Sequence, residues 1–128
     1  MRHLEARLQQ ACVQWFNTQY HRYYRLLYSS LNGVHTTAQQ ARTAKAEGMI
    51  AGVADLTLSV ARHGYHGLFI EMKHGKEGRQ SEAQKAWQKM VEEQGYRYVI
   101  CRSFDDFRNE IESYLNEPQD KTHTILLW

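Results

Sequence analysis

The sequence predicts an α/β sandwich built on a small mixed sheet with flanking helices. Three observations lead there. Amphipathic stretches with helical spacing alternate with short runs of β-branched and apolar residues. Two of those runs, around Val53–Val60 and Gly67–Lys73, lie a hairpin's distance apart. A strand-helix-strand order then follows the hairpin, as a mixed sheet covered by helices requires. With 128 residues the chain has the size of one domain, and its eight Tyr and three Trp supply material for a core.

Leu4, Leu8, Ala11, Cys12 and Trp15 follow helical spacing, so residues 2–17 read as an amphipathic helix, with Glu5 and Gln9 one turn apart at the edge of its apolar face. Residues 18–30 interleave Tyr20, Tyr23, Tyr24 and Tyr28 with Arg22 and Arg25, which fits a helix continuation, a strand or an aromatic-basic surface. Asn32-Gly33 signals a turn. Thr36–Glu47 reads as a helix with a Thr start and a C-terminal glycine, Gly48. After the predicted hairpin, His74–Gly78 is polar and glycine-rich, a loop. Ala83, Trp87, Met90 and Val91 mark a helix from about Gln80 to Gln94, stopped by Gly95, with Ser81 its simplest N-cap. Tyr96–Cys101 is the third strand. Ser103 and Asp106 form a capping-box pattern for a last helix carrying Phe104, Phe107, Ile111 and Leu115, ended near Pro118. The apolar terminus Ile125–Trp128 suits packing against the domain or a dimer contact.

Composition excludes some classes and favours others. No apolar run approaches the ~20 residues of a membrane helix. The start Met1-Arg-His-Leu-Glu is charged and helical rather than leader-like, so a cytoplasmic protein is expected. Cys12 and Cys101 are too few for a disulfide framework or zinc site and read as reduced core thiols. The net charge is only +2, but basic residues come in small clusters: Arg22 with Arg25, Arg42 with Lys45, and Lys73, Lys76 and Arg79. Such clusters are ordinary solvated surface unless they flank a site for a phosphate backbone.

One constellation offers such a site. Asp55 begins the first hairpin strand, and Glu71 and Lys73 alternate along the second, so both emerge on one face. The hairpin can bring Asp55 beside them. Two carboxylates can hold a hard divalent cation, and an ammonium beside them can steer a water or stabilise charge on a phosphoryl group. Gly48 and Gly52 bracket the approach to Asp55, where missing side chains would let a bulky substrate come near. Ser81 and Gln84 stand on one face of the following helix. A Glu-x-Lys triplet alone carries little information; its setting gives it value.

These residues resemble the VRR-NUC branch of the PD-(D/E)xK nucleases, from Glu5-x-x-x-Gln9 through Tyr114. The strongest segments are Lys45-x-Glu-Gly48-x-x-x-Gly52-x-x-Asp55-Leu, Gly67-Leu-x-Ile-Glu71-x-Lys73 and Ser81-x-x-Gln84-x-x-Trp87, followed by Gly95-Tyr96 and Val99-x-Cys101. The resemblance implies a restriction-endonuclease-like sandwich over residues 1–116, with 117–128 as a C-terminal tail. It implies that Asp55, Glu71 and the backbone carbonyl of Met72 ligate Mg²⁺ or Mn²⁺, with Glu5 completing the shell directly or through water. Lys73 would position or activate the attacking water, and Gln84 would orient the groups around it. Lys45, Arg42, Gly48, Gly52, Lys76 and Arg79 would meet the DNA. Ala54 stands where the family has proline before the Asp, a change in rigidity rather than in ligands. Small stand-alone members of this branch imply a homodimeric, structure-selective DNA endonuclease that resolves four-way (Holliday) junctions, in a bacterial or phage-infected cytoplasm.

Plainer readings accompany each residue. Glu71 and Lys73 can form an exposed ion pair, Glu5 can be a helix-start acid, and Gln84 and Lys45 can be solvated surface. His63, His66 and His74 lie in loops without metal-ligand spacing. At the level of function, the alternatives are a flap, nicking or restriction-like nuclease of the same fold, or a DNA-binding module without catalysis.

Overall fold

The computed structural model describes residues 2–30 and 37–116. Helix α1 spans Arg2–Gln19 and is followed by a single 3-10 turn at His21–Tyr23 and strand β1, Leu27–Ser29. Then come α2 (Ala38–Ala46), the hairpin β2 (Leu56–Leu58) and β3 (Leu68–Met72), α3 (Glu82–Glu93), β4 (Arg97–Cys101) and α4 (Phe104–Asn116). The strands lie in the order β1-β2-β3-β4. The first two pairings are antiparallel and β3–β4 is parallel, as a helical crossover demands. The sheet is therefore mixed, with β2 and β3 at its centre.

Alternation along these strands divides the molecule into layers. Leu56 and Leu58, Leu68, Ile70 and Met72, and Val99 and Cys101 project to one face and are buried in a single cluster with Cys12 and Phe16 of α1 and Phe107, Ile111 and Tyr114 of α4. Trp15 lies edge-on to Phe104 and Phe107, joining the two helices. The opposite face carries Phe69, Glu71 and Tyr98, and α3 covers it with Trp87 edge-on to both Phe69 and Tyr98. Burial on α1 and α4 thus makes the core, whereas α3 has no fully buried residue and serves as a cover over a polar-aromatic face. Both cysteines are free and buried, as expected.

Several expectations shift. β1 was open among three readings of residues 18–30; it is a strand of three residues in which only Leu27 is buried, too short to show alternation. Arg25, at φ 83, turns the chain into it. β2 covers Leu56–Leu58 rather than Val53–Val60, because β1 and β3 each pair with it over only three residues. In α1 the buried stripe runs through Cys12 and Phe16, while Ala11 is exposed. Met90 of α3 is exposed, not core. The N-cap of α2 is Thr37, which exchanges a full capping box with Gln40. At α4 the reciprocal bond is displaced by one residue: Ser103 Oγ accepts from Asp106 N, but Asp106 accepts from Arg102 N. The Asn32-Gly33 turn and the tail from residue 117 lie outside the described residues. Among those described, no helix is long and apolar enough to cross a membrane.

Candidate active site

The site forms where the hairpin opens beside the start of α3. Continuing the β2–β3 register by one residue sets Asp55 across from Glu71. Asp55 Oδ2 accepts the Met72 backbone N–H at 2.7 Å, which fixes that carboxylate against the end of β3. Glu71 is the one buried charged residue among the described residues, 3% exposed. Lys73, one residue past β3, shares its face and places Nζ 3.6 Å from Glu71 Oε2.

Gln84 joins these groups. Its Oε1 accepts from Lys73 Nζ at 3.1 Å and from the Ser81 backbone N–H at 2.9 Å, while its Nε2 donates to Glu71 Oε2 at 2.9 Å. Ser81 Oγ in turn accepts the Gln84 N–H. One side chain therefore caps α3 and orients two polar side chains of the site. The Ser81 cap and the Gln84 site residue, separate in the sequence reading, are one capping box. Gly52, at φ +89, makes this approach possible: a Cβ there would stand 2.5 Å from the carbonyl oxygen of Ala83 in the first turn of α3. Gly52 is buried against that helix, so the space it leaves is taken by protein rather than by a substrate. Gly48, by contrast, is exposed, with open space around its Cα.

Electrostatics mark the pair of carboxylates. Burial, then the facing Asp55, push Glu71 up to about 8, with Lys73 pulling the other way. Glu71 Oε1 is buried and no donor reaches it. A buried carboxylate oxygen without a donor, facing a second carboxylate, is a poor arrangement in the absence of a cation and a good one around a hard divalent ion. The oxygen donors present suit Mg²⁺ or Mn²⁺ rather than a soft metal. Among the described residues no three His, Cys, Asp or Glu side chains gather into a complete metal-holding group, so the pair would need backbone or water oxygens to complete a shell.

Glu5, half-buried on α1, does not join the pair directly; it lines a cleft of about 1110 Å³ whose floor includes Asp55 and Met72. Arg42 and Lys45 are exposed on α2, and Lys76 and Arg79 are exposed in the loop after Lys73. That loop is fastened by a residue with no distinguishing signal in the sequence. Arg102, just past β4, donates from Nη1 to the carbonyls of Gly75 and Gly78 at 3.1 and 2.5 Å. Gly78 lies directly against the Lys73 stem. Of the loop histidines, His63 contacts the Tyr114 carbonyl at 3.0 Å and His66 lies edge-on to Tyr96.

Comparison with known proteins agrees with this arrangement. The family described as "VRR-NUC domain" matches residues 1–105. A solved structure titled "VRR_NUC domain protein" aligns with a TM-score of 0.74 at 27% sequence identity, covering 87% of this chain and 87% of that one. No curated protein matches the sequence. The mixed four-stranded sheet with its flanking helices is accordingly the restriction-endonuclease-like fold.

Proposed function

The chain belongs to the VRR-NUC domain family, nucleases of the PD-(D/E)xK type, and on that premise we propose a Mg²⁺- or Mn²⁺-dependent, structure-selective DNA endonuclease centred on Asp55, Glu71 and Lys73. The observation that carries the reading is the unbroken set of contacts from Glu71 through Gln84 to Lys73, beside an Asp55 fixed by the Met72 amide.

In this reading Asp55 and Glu71 hold the cation, with the Met72 carbonyl and Glu5 as further oxygen donors. When bound, the cation supplies positive charge at the scissile phosphate and a means of acidifying water. Lys73 donates to the attacking water or to the phosphoryl oxygens that gain charge in the transition state. Gln84 keeps the Lys73 ammonium from collapsing onto Glu71, because its Oε1 offers a partner at 3.1 Å while Glu71 Oε2 stands at 3.6 Å. Lys45, Arg42, Lys76 and Arg79, with the open backbone at Gly48, receive neighbouring phosphates and set register without reading sequence. Gly52 acts on this site through the seating of α3.

Four-way junctions are the preferred substrate in this proposal, cut by a homodimer whose two-fold axis matches that of the junction. Among the described residues β1 is an edge strand, with Tyr28 on it and Leu26 just before it exposed, which supports pairing with a second copy. The test is a panel of linear, nicked, flapped and four-way DNA, incubated with Mg²⁺, Mn²⁺ or chelator and with wild type or Lys73→Ala. The proposal expects metal-dependent, symmetrical junction cleavage by wild type and at least about a hundredfold less by the variant. Cleavage in chelator, or by Lys73→Ala at the wild-type rate, would contradict the site. Preferred cutting of flaps or nicks would replace the junction reading and leave the chemistry standing.

A further inference from the structure

The cleft beside Asp55 is built differently from a channel for a phosphate backbone. Its volume of about 1110 Å³ is slightly above the range for pockets that enclose whole small molecules, about 300–1,000 Å³. Among the described residues lining it there is no Lys or Arg, and Glu5 and Asp55 are acidic. The side chains lining the cleft therefore offer a phosphate backbone no cationic partner. The exposed cations Lys76 and Arg79 stand elsewhere, on the loop that follows Lys73.

What the cleft presents instead is amides and flat rings. Gln10 and Gln14 lie one helical turn apart along the α1 wall, each offering both a donor and an acceptor. Asn17, a further step along the same wall, carries a buried Oδ1 that no donor reaches. At the far end the rings of His21 and Tyr24 lie parallel within 1°, their centroids 6.1 Å apart, and Tyr24 is 56% exposed. Neutral donor-acceptor pairs along one wall and an exposed aromatic shelf at the end match the two recognisable surfaces of a nucleobase, its edge and its face. A base held in a paired duplex offers neither freely.

From this we infer that the cleft takes an unpaired nucleobase next to the scissile phosphate, stacked on Tyr24 and hydrogen-bonded by Gln14 and its neighbours on α1. Beside the two-fold geometry of a junction, substrate choice then has a second element, a nucleotide displaced from its pair at the branch point. The inference rests on the nuclease reading for the position of the phosphate and adds the feature by which the substrate is chosen.

Binding in chelator tests it without cleavage. The probes are a DNA duplex with one unpaired central nucleotide, replaced by 2-aminopurine for fluorescence, and the fully paired duplex of the same sequence. Wild type binds the unpaired probe at least about tenfold more tightly, as expected of one stacked base, and quenches its 2-aminopurine. Tyr24→Ala and Gln14→Ala, both exposed positions, reduce the preference to within about twofold and restore the fluorescence. Met90→Ala on the exposed face of α3 serves as control and keeps both signals. Equal wild-type affinity for the two probes, or an unaltered preference in Tyr24→Ala, overturns the inference. Absence of metal-dependent cleavage by wild type would count against the nuclease reading alone, since these signals are read without metal.

Discussion

Glu71 carries the electrostatic tension of the site. It is buried, faces Asp55, and keeps one oxygen without a donor. Its carboxyl is pushed from an ordinary value near 4.5 to about 8, so the folded state holds that proton where the unfolded chain has released it. The contribution of Glu71 to the stability of the metal-free protein is therefore lost as pH rises from about 4.5 to about 8, and changes no further above that. Glu71→Gln should flatten this dependence and raise the melting temperature at pH 8 by roughly 5–10 °C, read by thermal melts in chelator. Mn²⁺ should stabilise wild type at pH 8 and leave Glu71→Gln unmoved; equal stabilisation of both would remove Glu71 from the metal site. At Gln84 two bonds to the site depend on one amide. Gln84→Ala should lower kcat about ten- to a hundredfold with DNA affinity near wild type. Glu71 and Lys73 were legible together from strand alternation and Asp55 from its place in the hairpin, whereas a role for Gln84 beside them came only from the resemblance. Arg102 was not legible, since its two carbonyl partners are 24 and 27 residues away and nothing local announces them.

At the scale of elements, the placement of α3 decides whether the site exists. Ser81 and Gln84 cap it, and Gly52 lets its first turn approach the segment that leads into Asp55. Gly52→Ala must either distort a backbone at φ +89 or push Ala83 away. It should cost about 2–3 kcal/mol in denaturant unfolding and lower activity by more than the stability loss explains. A silent Gly52→Ala would mean that α3 is less tightly seated than these distances imply. Helices were readable from their caps and apolar stripes, down to the glycine that ends α3. Strand lengths were less so. β1 has only one buried side chain and β2 is limited by its neighbours, and both properties belong to pairing rather than to local sequence. The shift of the α4 capping bond to Arg102 also depends on where β4 delivers the chain.

Across the whole molecule, charge is divided rather than large. The net +2 conceals an acidic cleft and a loop bearing Lys76 and Arg79. Replacing both by Ala should weaken DNA binding without regard to sequence and lower the salt slope, log K against log[salt], by about 2. The layered α/β architecture was legible in the order of its elements, and the family in spaced motifs that span most of the chain. The cleft was not legible, because it is assembled from one wall of α1, the 3-10 turn and the mouth of the hairpin, which no single spacing links.

We propose for Asp55 a place in a metal-dependent phosphodiesterase centre rather than in the scaffold of a DNA-binding module. Cleavage and binding of four-way DNA, measured side by side for wild type and Asp55→Asn in Mn²⁺, test it most directly. Wild type should cleave, Asp55→Asn should cleave at least about a thousandfold less, and the variant should bind within a few-fold of wild type. Undiminished cleavage by folded Asp55→Asn, or none by wild type in either Mg²⁺ or Mn²⁺, would contradict it.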